Sequence, residues 1–425
     1  MLRPNDVFVP GRFPIEKNNV YADRGKPQQD FQQAFSRGFV PLVFGSYGVG
    51  KSSLARHCVK AKDTQRKVVY IESIYGKSMA DVFSRILEHI GYEVTLETIS
   101  NTERESTSET NAEISGGFLI GLTAKIAGKL ARRTKKALGS KRQLAVQSPT
   151  DSRILDLCEE NELILILDEM HRATESFRAD FSAFLKAYAN RNHKKFKIAV
   201  SGTEKDASKL VIRDPGIDRL LLEVPLDPIS PKESAEILVT GMNKLDLIVP
   251  ENIGSYIISA CVGSPFILQY VCLEISDKCY EEKRNSVSKD HFNYALSNYA
   301  KTKAQRMINS YKTAIETTGE RRYRKQILHA MAHIDDDYVT MDQLVASVSK
   351  QLSTEIPSTA LSGPLRDLKS PEYGSVLSDV DAPGGVLRAY NYSSFSDPAM
   401  KSVIRLIEHI NQTSTDIPAE LKYNN

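Results

Sequence analysis

Between about residues 36 and 226, short runs of apolar and β-branched residues alternate with stretches of helical periodicity. The runs are "PLVFG", "KVVYIES", "ELILILD", "FKIAVSG" and "LLLEVPL". All five read as strands buried on both faces, the pattern of a parallel sheet joined by crossover helices. Past Asp227 the pattern turns helical, opening on "SPKE". Ser230 there is placed as N-cap, Pro231 at the first helical position and Glu233 as the return partner of a capping box. Helical patterns continue to about Arg306.

From Arg321 the order is helix ("RYRKQILHAMAHI"), helix ("TMDQLVASVSKQL") and a third helix near "PSTALSGPLRDLK". Two strands around Gly384 and Gly385 follow. That order predicts a winged helix-turn-helix. The expected fold class is therefore α/β: a parallel sheet of about five strands in residues 1–227, an all-helical lid in 228–306 and a winged-helix domain in 307–425.

An insertion at about 100–148 interrupts the sheet pattern. Ser100 to Asn111 is polar, and the following segment places Phe118, Leu122, Ile126 and Leu130 on one helical stripe beside Lys125, Lys129, Arg132, Arg133 and Lys136. Its glycines suit a β-hairpin equally well. Lys125–Arg142 reads as a solvated amphipathic face, as a contact for DNA or a protein partner, or as a membrane-surface helix.

Composition changes this picture little. With 425 residues, 41 % hydrophobic and 26 % charged, the chain has room for more than one core and the make-up of a globular protein. The net charge of +3 is too small to imply nucleic-acid binding unless cations cluster. The five cysteines, an odd number without C-x-x-C spacing, argue against a disulfide framework or a structural zinc. No apolar run is long enough to span a membrane and the N-terminal stretch lacks a signal-peptide core, so a cytoplasmic protein without membrane attachment is expected.

The chemistry is concentrated at strand ends. "FGSYGVGKSSL" contains Gly45, Gly50, Lys51 and Ser52 at the spacing of a phosphate-binding loop between a strand and a helix. Such a loop aims successive backbone N–H groups at one point, and the helix N-terminus adds a potential that favours anions. Ser46, Tyr47, Val49 and Ser53 complete the loop, and Gly48 lets it curl. Lys51 is placed to reach β- and γ-phosphates, and Ser52 to ligate magnesium.

"LILILDEMH" supplies the carboxylates such a site needs: Asp168 to hold hydrated magnesium and Glu169 to act as general base on the attacking water. An Asp-Glu pair after a strand also reads as an ordinary helix start. Ser201 and Thr203, closing the next strand, are candidates for sensing the γ-phosphate or for capping a turn. Arg213 and Arg219 precede the last strand, where each either acts on a neighbouring subunit's nucleotide or makes a local ion pair. His329 and His333 have the i, i+4 spacing of metal ligands, but the motif glutamate and a third ligand are missing. His171 reads as a supporting or surface residue.

With "GSYGVGKSS", "LILILDE", "IAVSGT" and the Arg213/Arg219 stretch, the chain resembles the AAA+ superfamily, in the branch of origin-recognition initiators, transposon target-selection ATPases and STAND switches. The resemblance implies that Asn19, Val20 and Tyr21, with Arg24, enclose adenine. It also implies that Pro265 in "CVGSPFILQ", similar to the Gly-x-Pro of STAND proteins, reports nucleotide state. ATP and Mg2+ are the implied cofactors and a homo-oligomer the implied assembly. The function expected is an ATPase switch in a DNA-related, mobile-element or defence setting, with an effector protein or DNA as partner. The alternatives are a nucleotide-gated adaptor in which turnover is incidental and a DNA-binding initiator. The helix "PSTALSGPLRDLK" offers only Arg366 and Lys369 as cations for base contacts.

Overall fold

A computed structural model describes residues 2–62, 66–72, 76–91, 151–191, 193–203, 207, 210–212, 215–316, 323–334, 338–380 and 392–413. The basic segment Lys125–Arg142, the Gly384–Gly385 turn and Arg213 lie outside these residues.

The five apolar runs form β1 (Val40–Phe44), β2 (Val68–Ile71), β3 (Ile164–Leu167), β4 (Lys197–Gly202) and β5 (Leu221–Pro225). They make one parallel sheet in the order β2-β3-β4-β1-β5. Alternate residues serve opposite faces, as the pleat requires. Leu42, Leu165 and Leu167 join Phe83, Ile86, Phe181 and Phe184 in one apolar cluster, while Val43, Ile164 and Ile166 join Phe31, Leu54 and Val59 in another. The first cluster is covered by α3 (Met79–Ile90), α4 (Asp151–Glu160) and α5 (Glu175–Ala189), and the second by α1 (Lys26–Arg37) and α2 (Lys51–Lys62).

Burial on both faces holds for β1, β3 and β4, whose residues are all buried. It fails for β2 and β5, which alternate with half-buried or exposed positions. These two are the sheet's edges, where a strand has a neighbour on one side only.

The helical unit after Asp227 comprises α6 (Pro231–Lys244), α7 (Glu251–Ala260), α8 (Pro265–Glu281) and α9 (Lys289–Thr302). The expected capping box is present: Ser230 Oγ accepts from the Glu233 N–H and the Glu233 carboxylate accepts from the Ser230 N–H. α10 (Gln305–Ile315) runs across the boundary drawn at 306, into a unit of α11 (Arg324–His333), α12 (Met341–Leu352), α13 (Ser358–Asp367), the antiparallel pair β6 (Leu377–Val380) and β7 (Tyr392–Phe395), and α14 (Met400–Thr413).

One continuous apolar cluster joins the lid to this C-terminal unit and takes in Val7, Phe8, Val20 and Ala22 from the N-terminal segment. The segment is pinned by Gln269 of α8, whose side chain accepts from the Val9 N–H at 2.9 Å and donates to the Val20 carbonyl at 2.9 Å. In the C-terminal unit His329 and His333 both meet the Glu408 carboxylate of α14, at 2.6 and 2.7 Å. They tie two helices together, and among the described residues no cluster of metal-binding side chains occurs.

Candidate nucleotide site

Strand register decides what meets what. Phe44 pairs with Gly202 and Leu167 with both Ile71 and Val200, so the carboxyl ends of β1, β2, β3 and β4 lie side by side. In an open parallel sheet that edge is where ligands bind. A cavity of about 750 Å3 opens there, lined by residues of the sheet, the N-terminal segment, the lid and the C-terminal unit.

The loop leaving β1 turns through three glycines at positive φ: Gly45 at 151°, Gly48 at 80° and Gly50 at 97°. At Gly45 a Cβ would lie 2.1 Å from the Leu226 carbonyl oxygen, so only glycine fits where the loop passes the edge strand. Val49 is buried beneath the loop, Tyr47 stands 56 % exposed at its tip, and Ser53 lines the cavity. Lys51 opens α2 with its ammonium donating to the carbonyls of Gly45 (3.1 Å) and Ser46 (2.7 Å).

Asp168 is held at three points. Ser52 Oγ donates to its Oδ2 at 2.5 Å, and Ser201 Oγ (2.6 Å) and the Glu169 N–H (2.8 Å) donate to its Oδ1. Glu169 has φ 58°, a left-handed turn that swings the chain off the strand, and its carboxylate faces Arg172 at 3.4 Å. Ser201 is buried and does not line the cavity, whereas Thr203 does, and the Thr203 N–H donates to His171 Nδ1 at 3.1 Å. Burial, with Lys51 and Arg172 nearby, holds the His171 pKa down to about 4.

Val20 and Tyr21 line the side of the cavity toward the N-terminal segment. Tyr21 stacks on His57 at 3.9 Å, and its hydroxyl is buried without a hydrogen-bond partner among the described residues. Burial pushes its pKa well up. Pro265 opens α8 and also lines the cavity, while the preceding Gly263 bonds through its carbonyl to the Ile229 N–H at 3.0 Å, coupling this turn to the start of the lid. Arg219 is exposed before β5 and does not line the cavity.

Two roles were not read from the sequence: that of Arg24, expected only beside the adenine, and that of Glu72. Arg24, 8 % exposed, bonds the Val49 carbonyl (2.7 Å), the Asp227 carbonyl (2.5 Å) and Glu233 (2.8 Å), pinning the glycine loop to the hinge and to the first lid helix. Burial works against ionisation of Glu233, but Ser230 and Arg24 outweigh it and hold its carboxyl below the usual range. Glu72, just past β2, is a third acid on the cavity wall and pairs with Arg56, which is itself stacked between Phe13 and Tyr70. The only sequence signal for Glu72 was an acid closing an apolar run.

The donor set fits a phosphate with a hard cation: a hydroxyl and a carboxylate converge beside a lysine and a glycine loop at a helix start. Sheet, loop and acid together define a P-loop nucleotide-binding domain of the AAA+ class. Residues 35–211 match the family model described as "AAA domain".

No curated protein matches the sequence. Among solved structures the chain is similar to a Walker-type ATPase of Pyrococcus abyssi at 18 % identity and TM-score 0.48, covering 93 % of this chain and 99 % of that one. It is similar to the ORC1 protein of Aeropyrum pernix, solved in complex with DNA, at 12 % identity and TM-score 0.46, covering 96 % of each. The ORC2 protein of the same organism, in ADPNP–ADP complexes, gives 15 % identity and TM-score 0.47, covering 94 % and 97 %.

Proposed function

We propose that this chain binds ATP with magnesium and hydrolyses it, and that it works as a molecular switch in a homo-oligomer. The observation that carries this reading is the convergence of Ser52 and Ser201 on Asp168 beside the loop, with Glu169 next in line. Lys51 exchanges its two loop carbonyls for β- and γ-phosphate oxygens, a stronger, charge-assisted pairing. Ser52 and Asp168 would hold the magnesium, which would offset phosphate charge. Glu169 turns from Arg172 to take a proton from the attacking water. Ser201 and Thr203 sense the terminal phosphate, Val20 and Tyr21 flank the adenine, and Pro265 carries the state to the lid. Arg219, exposed beside the edge strand, is the arginine we assign to a neighbouring subunit's nucleotide.

Two substitutions test this. Glu169→Gln is expected to lower turnover about 10²- to 10⁴-fold while ATP still binds. Lys51→Ala is expected to lose both binding and turnover, and parent-like hydrolysis by Lys51→Ala would refute the reading.

A second reading, a nucleotide-gated adaptor with incidental turnover, is favoured by one observation. Ala399 and Ser402 at the start of α14 line the same cavity as Lys51, so nucleotide is read directly by the C-terminal unit. In this account that unit is a winged-helix domain that recruits DNA or an effector protein, in a DNA-related, mobile-element or defence setting. On α13 and just beyond it, Lys369 is paired with Asp379 and Arg366 is exposed, so DNA contact is assigned to Lys125–Arg142 ahead of this helix. Turnover with and without DNA, alongside sedimentation with ATP, separates the readings. Stimulation together with assembly supports the ATPase switch, and unchanged slow turnover with recruitment supports the adaptor.

A further inference from the structure

The nucleotide reading leaves His171 without a task, although the structure fixes this ring closely. Glu169 in its left-handed conformation turns the chain into the short 3-10 helix Met170–Arg172, which folds back over the end of β4. Gly202 permits the approach, since a Cβ there would stand 3.2 Å from the His171 backbone nitrogen. Arg178 Nη2 donates to the His171 carbonyl at 3.1 Å and holds the backbone from the other side. The Thr203 N–H then donates to Nδ1.

A ring nitrogen that accepts a hydrogen bond carries no proton, so the imidazole is neutral and its proton sits on Nε2. Burial and the charge of Lys51 favour the same neutral form. The ring lines the cavity with Lys51, Asp168, Glu169 and Thr203, and Nε2 has no hydrogen-bond partner among the described residues.

We propose that His171 presents this fixed Nε2–H as a donor to the γ-phosphoryl group of a bound nucleoside triphosphate, so that the site tells triphosphate from diphosphate through the Asp-Glu turn. A neutral donor adds selectivity without adding charge, and its aim depends on the Thr203 backbone, so the ends of β3 and β4 act on the terminal phosphate as one unit. His171 is on this account a specificity-determining residue. The proposal rests on the nucleotide reading above and extends it.

The test compares the affinity of the parent, His171→Gln and His171→Ala for ADP and for the non-hydrolysable triphosphate ADPNP, both with magnesium. Loss of one donor to a charged oxygen is expected to weaken ADPNP about 10-fold or more, with ADP within about 2-fold of the parent. Equal weakening of both nucleotides would assign His171 a structural role only and overturn the proposal, as would unchanged affinity for both. A parent that binds neither nucleotide overturns the nucleotide reading and this proposal with it. Should a variant fail to fold, 15N-histidine spectra of the parent decide. The proposal requires the Nε2–H tautomer at His171 and a shift of that nitrogen with ADPNP but not with ADP. An Nδ1–H tautomer, or the same shift with both nucleotides, overturns it.

Discussion

Asp168 uses both carboxylate oxygens, one on Ser52 and one on Ser201 and its neighbour's N–H. Ser201→Ala removes one donor and leaves the other on Oδ1. It is therefore expected to cost about 1 kcal/mol in a denaturant titration, with a larger relative loss in ATP turnover. His171 makes a pH prediction at the same scale. Its folded pKa lies near 4, below its ordinary value of 6.5, so below 6.5 the unfolded chain takes up a proton before the folded one does. Stability from this residue is complete above about pH 6.5 and is lost progressively toward pH 4. His171→Gln should flatten the fall in melting temperature across that window. That Asp168 lies beside the loop serine was legible in the sequence, because the loop has a fixed residue spacing and the acid closes an apolar run long enough for a central strand. The role of Arg24 was not, since two of its three partners are carbonyl oxygens, at Val49 and Asp227, and a backbone acceptor leaves no trace in residue identity.

Elements meet through a few close approaches that carry the geometry. Gly45→Ala would drive a methyl into the Leu226 carbonyl at a positive φ, and the loop cannot move without moving β5. That variant is expected to fold with a lowered melting temperature and to bind no ADP in a titration. Gly241 in α6 is a contrasting case: a Cβ there would meet the buried Phe8 ring at 2.3 Å. Gly241→Ala should cost about 1 to 3 kcal/mol by overpacking, with kcat for ATP little changed in the folded fraction. All five strands were legible from their apolar runs. The exposure of β2 and β5 was not, because edge position belongs to the sheet order, which no single run encodes.

At the scale of the whole molecule, the nucleotide cavity is a meeting place of the sheet, the N-terminal segment, the lid and α14. Arg306 of α10 pairs with Asp397 just ahead of α14 at 2.5 Å, a contact between the two helices next to the cavity. Hydrogen exchange at the start of α14 is expected to slow with ADPNP relative to ADP. Asp397→Ala should reduce that difference while leaving ADP affinity unchanged. The order α11, α12, α13, β6, β7 could be read from the sequence pattern, whereas α10 and α14 were not part of that reading. The shared core of this unit with the lid could not be read, nor could the docking of residues 7–22 on α8 through Gln269, because both depend on contacts between distant segments. The most direct test of the central claim is magnesium-dependent ATP hydrolysis by Glu169→Gln, measured beside its ATP affinity. The account predicts parent-like binding with turnover reduced at least about 100-fold. Turnover equal to the parent's would contradict it.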